Sequence, residues 1–402
     1  MIADIAVVGG GPAGAAAAIT LARAGREVVV VDRARFPRDK SCGDGLTAGA
    51  LRLLERLGLD PSAVASWHPV DDVVIRAPSG REVCFPLPSG RGRYAAIARR
   101  LDLDAALLDL ARDAGATVLD GHACTDATEP RADRMRLTVD GIGTLDARYA
   151  VAADGMWSPM RRYLGVHQAG YRGDWHAFRQ YFRDVSPAAS RDLHIWFDAD
   201  LLPGYAWSFP LAGGRANVGL GIHRGAKVSV PGMRALWPEL LQRPHIRSIL
   251  GDAARPEAPH RAWPIPTRID AVPLTAGRAL FVGDAAAAGD IMSGEGIGQA
   301  LLTGIRAAEA LLQTGPDDPH LAATRYQEAV RRDLFADHRA SRLLVHGLRH
   351  RKGADGALAA AGFNAWTRRN FARWLFEDYP RALVATPGRW HRHMFTSPGA
   401  YR

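Results

Sequence analysis

The stretch that most restricts the fold of this chain is DIAVVGGGPAGAAAAITLARAGREVVVVD, from Asp4 to Asp32. An apolar run leads through clustered glycines into an alanine-rich segment of helical length, and a second apolar run, REVVVVD, closes the stretch. This order within about 30 residues is typical of a βαβ unit. It therefore predicts a parallel sheet that is covered by helices.

The turn after the first predicted strand has the pattern G-x-G-x-x-G, formed by Gly9, Gly11 and Gly14. Without side chains the turn can be tight, a pyrophosphate can approach the backbone, and the helix start offers unpaired N–H groups. Pro12 and Ala13 lie in the same turn and are predicted to share this contact. The pattern indicates a dinucleotide-binding site.

Asp32 ends the second predicted strand, and Arg33 follows it. A carboxylate at this position of a βαβ unit accepts hydrogen bonds from a ribose. The strand, the helix and the acidic residue therefore follow one another in the order and spacing of this motif. Asp32 and Arg33 are both predicted to contact the cofactor.

The remaining chain divides by its hydrophobic pattern. DDVVIRAPSGREVCFPL predicts a hairpin that turns at 78–80, alternating stretches between 166 and 263 predict antiparallel strands, and the chain after 319 has helical, basic and aromatic character. Between them we expect a helix over about 100–114 and strands near 117 and at 148–153. The predicted fold class is α/β: a Rossmann-like domain with an inserted antiparallel sheet and a C-terminal helical region. Its predicted segments are 1–70, 92–165 and 268–318 for a discontinuous nucleotide-binding domain, 71–91 and 166–267 for a substrate-binding sheet domain, and 319–402 for the helical region.

Composition adds weaker constraints. The formal net charge of +9 suggests anionic partners, but no nucleic-acid motif accompanies it, so nucleic-acid binding is not expected. Cys42, Cys84 and Cys124 are odd in number and lack metal-ligand spacing, which favours a reducing compartment and no metal site. We find no signal-peptide pattern and no apolar run of about 20 residues. The expected location is the cytoplasm.

Two later segments identify the dinucleotide by resemblance. VAADGMWSPMRRYLG has the order D-G-x-x-S-x-x-R, and LFVGDAAAAGDIMSGEGIGQAL carries a glycine–aspartate pair after a strand. Both resemble motifs of the flavin monooxygenase and geranylgeranyl reductase superfamily, which shares the glutathione-reductase-like FAD fold. The resemblance implies that the cofactor is FAD, that the aspartate after Gly283 binds the ribityl chain, and that a helix start reaches the flavin ring. The residues it assigns to the cofactor are Arg100, Asp154, Gly283, Asp284, Gly294, Gly296 and Ile297.

Two segments resemble geranylgeranyl reductases in particular. FPRDKSCGDGL resembles their segment in which a cysteine stands near the flavin, and GYAWSFP resembles their Y-x-W-x-F-P motif, which lines the substrate cavity. Cys42 is therefore the candidate catalytic residue. Its thiol could supply a proton, or react as thiolate if Arg38 and Lys40 lower its pKa. The other interpretation is a small residue that fills a tight turn.

Tyr205, Trp207 and Phe209 alternate along one predicted strand, so their side chains share one face. Three aromatic rings on one face suit an apolar, elongated substrate, although such a stripe also occurs in ordinary cores. The resemblance assigns these three residues to substrate binding.

The segment NAWTRRNFARWLFEDYPRAL interleaves arginines with aromatic residues. A basic amphipathic helix of this kind can lie on a membrane surface, which predicts a peripheral membrane contact. The alternative is a helix that packs over the substrate domain and leaves its arginines in solvent.

Several functions fit these motifs. The first is a reductase that saturates C=C bonds of a prenyl chain or prenylated lipid by hydride transfer from reduced flavin. The second is a monooxygenase that hydroxylates or epoxidises an aromatic or terpenoid substrate through a C4a-hydroperoxyflavin. A halogenase is disfavoured because its W-x-W-x-I-P motif is absent, and a non-catalytic flavin or prenyl carrier is disfavoured by the complete FAD motifs. No further G-x-G-x-x-G follows a strand, so the expected electron donor is external: NAD(P)H or a ferredoxin, the latter being an electron-donor protein.

Overall fold

The computed structural model describes residues 1–131, 133–314, 318–390 and 396–401 of the 402-residue chain. Within these ranges the chain forms three sheets and a set of helices around them. No helix in the described part is both long and apolar enough to cross a membrane.

The strands, in chain order, are β1 (Ile2–Val8), β2 (Val28–Asp32), β3 (Gly45–Thr47), β4 (His68–Pro69), β5 (Asp72–Arg76), β6 (Glu82–Pro86), β7 (Ala95–Ile97), β8 (Thr117–Asp120), β9 (Cys124–Arg131), β10 (Arg134–Val139), β11 (Gly143–Ala152), β12 (Trp175–Arg183), β13 (Leu193–Trp196), β14 (Tyr205–Leu211), β15 (Arg215–His223), β16 (Arg255–Pro256), β17 (Arg261–Ile265), β18 (Thr275–Ala276) and β19 (Ala279–Phe281).

The helices are α1 (Pro12–Arg23), α2 (Ala48–Arg56), α3 (Arg100–Asp113), α4 (Pro159–Tyr163), α5 (Pro187–Arg191), α6 (Met233–Leu241), α7 (Pro244–Leu250), α8 (Ile297–Thr314), α9 (Pro319–Val330), α10 (Ala336–Leu348), α11 (Arg351–Ala361) and α12 (Ala365–Leu375). A π-helical turn at Arg331–Phe335 joins α9 to α10.

The first sheet is the Rossmann-like sheet that the βαβ pattern predicts. Its strands lie in the order β19-β11-β1-β2-β8, and every neighbouring pair in this row is parallel. All four valines of β2 are buried because both faces of a parallel sheet are covered. The carboxyl ends of these strands therefore meet at one edge, where the glycine turn lies.

The alanine-rich composition of α1 has a packing reason. The helix lies between the sheet and α8, and residues 12–19 are all buried. The backbones of α1 and α8 approach so closely that a Cβ on Gly304 would lie 2.1 Å from the Ala13 carbonyl oxygen. Small residues in α1 thus allow α8 to cross directly over the glycine turn.

The second sheet is mostly antiparallel and has the order β16-β12-β15-β14-β13-β5-β6. Strands β5 and β6 form the predicted hairpin, and β5 joins this sheet through parallel pairing with β13. The hairpin at 72–86 is thus part of the same sheet as the strands between 175 and 265. The exact domain boundaries remain a prediction.

The region between α3 and α4 differs from the prediction. In place of one strand near 148–153, the chain forms the antiparallel strands β9, β10 and β11, and β11 alone continues into the parallel sheet. Residues 143–147 have alternating burial and belong to the same strand as 148–152. One face of this layer is in solvent and carries polar residues. The sequence therefore lacks the continuous apolar runs that would have predicted these strands.

The C-terminal region is helical as far as Leu375. In the described residues beyond it, only short 3₁₀ turns occur, and Ala400 pairs with Arg93. Helix α12 packs on β6, where Phe371 contacts Phe85 with ring centroids 4.9 Å apart.

Candidate functional site

The glycine turn connects β1 to α1 and leaves the helix start open. Gly11 is the N-cap of α1, and no side chain caps the helix. A Cβ on Gly14 would lie 1.8 Å from the Gly9 carbonyl oxygen, so the turn can close only with glycine at position 14. Pro12 and Ala13 lie at the start of α1 and line the adjoining cavity. The free N–H groups of this helix start can therefore bind an anion.

Two guanidinium groups face this turn. A Cβ on Gly11 would lie 3.5 Å from Nη2 of Arg38 and 3.8 Å from Nη2 of Arg100. Both arginines are fixed by Asp104, whose carboxylate receives two hydrogen bonds from Arg100, at 2.6 and 2.7 Å, and an ion pair from Arg38 at 2.9 Å. This arrangement suits a pyrophosphate between the turn and the arginines. The contribution of Arg38 to the turn was not predicted.

Asp32 lies at the end of β2, beside the turn. Its two oxygens accept hydrogen bonds from the backbone N–H groups of Gly10, at 2.7 Å, and Ala34, at 2.8 Å. A carboxylate has about four acceptor positions, so capacity for a ribose remains. Arg33 is exposed at the rim of the same cavity.

The D-G-x-x-S-x-x-R segment is hydrogen-bonded to the segment that carries Gly283 and Asp284. Asp154 accepts hydrogen bonds from the Ser158 hydroxyl at 2.7 Å and from the Met160 amide at 2.8 Å. Arg161 donates from Nε to the Ala285 carbonyl at 2.5 Å and from Nη2 to the Pro273 carbonyl at 2.7 Å. Ser158 and Arg161 thus hold the loops around the cavity in place, and Asp154 lines the cavity itself.

Burial raises the pKa of Asp154 to about 6. In the unfolded chain the pKa is near 3.8, so folding takes up a proton between about pH 4 and 6. This contribution favours the folded state at low pH and is lost as the pH rises through 6, at a cost of up to about 3 kcal/mol. In Asp154→Asn we expect that part of the pH dependence to disappear. Urea unfolding at about pH 4.5 and 7.5 measures it, and an unchanged pH dependence in the variant would contradict the assignment.

Asp284 follows β19 and lies in the cavity wall. Its Oδ2 forms an ion pair with Lys40 Nζ at 3.0 Å. The sequence predicts that Asp284 binds the ribityl chain. Its position in the cavity wall is compatible with that role, and the Lys40 contact is an addition that the sequence did not reveal.

Asp284→Ala is expected to weaken FAD retention by about tenfold or more, because a hydrogen bond to a charged group is lost. The flavin-to-protein absorbance ratio after gel filtration measures this. Asp252→Ala is a suitable control, since Asp252 forms an exposed ion pair with Arg247. A fully flavinated Asp284→Ala protein would exclude the predicted ribityl contact.

The start of α8 forms another wall. Gly294, with φ of +69°, and Gly296 lead into Ile297, the first residue of the helix, and all three line the cavity. Glu295 lies between the glycines, and its Oε1 accepts a hydrogen bond from the Gly298 amide at 2.7 Å. Burial, together with the nearby Glu377, raises the pKa of Glu295 well above its usual value.

Glu377 brings the C-terminal region to this wall. Its carboxylate accepts hydrogen bonds from the Thr47 hydroxyl at 3.0 Å and the Gln299 amide at 2.9 Å. Leu375 and Phe376 beside it line the cavity. The region after 319 therefore contributes to the site, which the sequence did not show.

Cys42 lies in the turn between β2 and β3, with its side chain in the cavity wall. Burial raises the pKa of its thiol, and the charge of Asp44 acts in the same direction, while Arg100 and Lys40 act against them. The lowering of this pKa that was expected from Arg38 and Lys40 is not found, because burial outweighs the nearby cations. The raised pKa favours the neutral thiol, which can donate a proton.

The three predicted aromatic residues form a ladder along β14. The ring centroids of Tyr205 and Trp207 are 5.9 Å apart, and those of Trp207 and Phe209 are also 5.9 Å apart. The ladder continues to Trp175 on β12, 5.7 Å from Tyr205. At its other end the Phe209 ring lies against the glycines on both sides of Asp44 in the Cys42 turn.

One cavity of about 750 Å³ adjoins the glycine turn, the Cys42 turn, the start of α8 and the aromatic ladder. Of the predicted cofactor, catalytic and substrate residues, only Gly14 does not line it, because Gly14 packs against the backbone beneath the turn. The polar end holds the glycine turn, the arginines and Asp32, and the apolar end holds the ladder. This arrangement fits a dinucleotide with its phosphates between the glycine turn and the arginines.

Comparison with known proteins gives the family. A family described as an FAD binding domain matches residues 2–314. The menaquinone reductase of Mycolicibacterium smegmatis is 36% identical over 85% of this chain and 85% of its own. Digeranylgeranylglycerophospholipid reductase 2 of Methanopyrus kandleri is 31% identical over 81% of each chain. The chain belongs to the geranylgeranyl reductase family.

A solved structure of a geranylgeranyl bacteriochlorophyll reductase-like protein from Thermoplasma acidophilum has the same fold. Its TM-score is 0.76 at 20% identity, and the match covers 96% of this chain and 99% of that one. The FAD binding domain, together with relatives that are named reductases, makes this chain an FAD-dependent oxidoreductase, as the motifs predicted.

The residues that sequence reasoning missed come from distant strands. Tyr181 on β12, Asn217 on β15 and Asp44 meet behind the Cys42 turn. Asn217 lies in the stretch RANVGLG, where its polar side chain among small and apolar residues was the only local signal. Their meeting depends on strand register, which no short motif encodes.

Proposed function

We propose that this FAD-dependent oxidoreductase saturates C=C bonds in the prenyl chain of an isoprenoid lipid or quinone. The observation that carries the proposal is the aromatic ladder, which opens into the cofactor cavity next to the Cys42 thiol. The identity to a menaquinone reductase supports a quinone with a prenyl side chain as the substrate class.

Reduction of an isolated C=C bond needs a hydride on one carbon and a proton on the other. Reduced FAD, when bound, supplies the hydride. Cys42 supplies the proton, because its raised pKa keeps the thiol protonated in the cavity wall. The thiolate that remains is stabilised by Arg100, whose guanidinium contacts the cysteine side chain, and recovers a proton from solvent.

The aromatic ladder holds the substrate chain. Tyr205, Trp207 and Phe209 present apolar faces along about 13 Å of strand, a length that follows from the strand rise and suits an extended prenyl chain. The Tyr205 hydroxyl donates to the Ser293 carbonyl, which fixes the ring at the start of α8.

The proposal extends to the partners. The reducing equivalents come from an external donor, NAD(P)H or a ferredoxin. A prenyl lipid resides in membranes, and the exposed side chains of Phe363, at 79%, and Trp366, at 66%, support a peripheral membrane contact. Two further rings of this region face the protein: Phe371 packs on β6 and Phe376 lines the cavity.

The test is anaerobic. The FAD-loaded protein is reduced and mixed in a stopped-flow spectrometer with geranylgeranyl diphosphate or with a menaquinone that has an unsaturated side chain. We expect the flavin to be reoxidised and mass spectrometry to show two added hydrogen atoms per reduced bond in the prenyl chain. A menaquinone with a fully saturated side chain is the matched control, since its ring can accept electrons but its chain cannot.

Equal reoxidation by the saturated quinone, with no saturated product from the unsaturated compounds, would overturn prenyl reduction. Admission of oxygen then tests the monooxygenase alternative. If oxygen produces a hydroxylated or epoxidised product from an aromatic or terpenoid compound, that alternative replaces the proposal.

A further inference from the structure

Asp44 is a fully buried carboxylate two residues after Cys42, and the proposed reaction does not use it. Its φ of +65° places it in the left-handed region, which aspartate and asparagine tolerate better than most residues. Its Oδ2 accepts hydrogen bonds from the Tyr181 hydroxyl at 2.6 Å and from Asn217 Nδ2 at 2.8 Å. Its Oδ1 accepts from the Arg100 backbone amide at 3.3 Å. A buried carboxylate with this many donors is held in one orientation.

Strand register explains how the two side-chain donors meet. Tyr181 on β12 lies directly opposite Asn217 on the antiparallel strand β15. The second sheet therefore presents both side chains next to each other and holds a single oxygen of Asp44 between them. Through this contact the substrate sheet is attached to the turn that carries Cys42.

The amide of Asn217 extends the contact to the ladder. Its Oδ1 accepts a hydrogen bond from Trp207 Nε1 at 3.2 Å, while its Nδ2 also donates to the Cys42 carbonyl at 2.9 Å. Three partners thus define the orientation of this amide. The position of a substrate-contacting ring is thereby coupled to the backbone of the thiol.

We propose that Asp44 is a positioning residue for Cys42: its carboxylate, held by Tyr181 and Asn217, fixes the turn that carries the sulfur and places a negative charge beside it. The inference rests on the proposed function in that a fixed, protonated thiol is what proton donation needs. Its geometry and its test, however, require no substrate.

The charges around the sulfur determine whether the Asp44 carboxylate raises or lowers the pKa of Cys42. Arg100 on α3 and Lys40 in the same turn favour the thiolate, Asp44 opposes it, and Tyr205 on β14 faces the same sulfur. Asp44 itself is surrounded by Arg179, Tyr181, Asn217 and Arg100. Burial raises the pKa of Asp44 to about 6, so above that pH it carries its charge and disfavours ionisation of Cys42.

The experiment measures the alkylation rate of Cys42 by iodoacetamide in the FAD-loaded protein, from about pH 7 to 10, with the Cys42 peptide quantified by mass spectrometry. Asp44→Asn keeps the shape and tolerates the positive φ but removes the charge. We expect its alkylation midpoint to shift to lower pH by about one unit, which is about a tenfold faster reaction on the acid side of the profile. A purely structural role would change accessibility at every pH and leave the midpoint in place.

Asn217→Ala is the second variant, and it tests whether the clamp fixes the turn, also in the case that Asp44→Asn does not fold. It keeps the charge of Asp44 but loses the bonds to the Cys42 carbonyl and to Trp207, so we expect faster alkylation at every pH. Asp198→Asn is the control, because Asp198 is a buried carboxylate paired with Arg243 outside the cavity. An Asp44→Asn profile that matches the parent, or an unchanged rate in Asn217→Ala, would overturn the inference. Failure of prenyl reduction alone would overturn the proposed function and leave these profiles as expected.

Discussion

Cys42→Ser is expected to retain FAD like the parent protein and to lose prenyl reduction by a factor of about 10²–10⁴, the usual contribution of a positioned general acid. Serine occupies nearly the same volume in the turn, but its hydroxyl is a far weaker acid than a thiol. The Cys42 backbone contact to Asn217, at 2.9 Å, does not depend on the sulfur, so the turn should keep its shape. Anaerobic reoxidation of the reduced flavin by the unsaturated substrate gives the rate.

Cys84→Ser is the matched control. Cys84 is exposed on β6, contacts Asp72, and does not line the cavity, so its replacement should leave the rate unchanged. A Cys42→Ser protein with the parent rate would show that the proton comes from another group. Loss of flavin in that variant would instead assign Cys42 to the packing of the turn.

Gly14→Ala is expected to abolish FAD binding and to destabilise the fold by about 3 kcal/mol or more. Its Cβ would lie 1.8 Å from the Gly9 carbonyl oxygen and 3.1 Å from the Ala153 side chain, and neither the turn nor the sheet beneath it has room to move. Thermal unfolding and the flavin absorbance of the purified protein measure the two effects.

Gly11→Ala separates cofactor contact from folding. A Cβ there meets only the ends of two arginine side chains, at 3.5 and 3.8 Å, so the protein should fold but bind FAD weakly. Gly356→Ala is the control, because it lies exposed in α11 with nothing within 4 Å of the new Cβ. If Gly14→Ala retains flavin and stability, the turn differs from the one described.

Local patterns carried the prediction of the cofactor half of the site. The glycine turn, Asp32 and the start of α8 each depend on residues close in sequence, since a tight turn and a helix start need small residues at set spacings. The layer of β9, β10 and β11 was missed because its exposed face is polar, and the role of Glu377 was missed because its partners Thr47 and Gln299 are remote in sequence.

The amino-acid sequence by itself determined that this chain forms a Rossmann-like domain for FAD, places Cys42 after its second strand, and presents an aromatic stripe on a later strand. The tertiary structure alone decided that the stripe and the thiol share one cavity, that burial raises the pKa of the thiol, and that Asp44 is clamped by Tyr181 and Asn217. The physical reason is the sequence separation of the residues that interact. Turns, helix starts and side-chain alternation arise from neighbouring residues, whereas burial, pKa and the meeting of side chains depend on strand register and on which surfaces pack together.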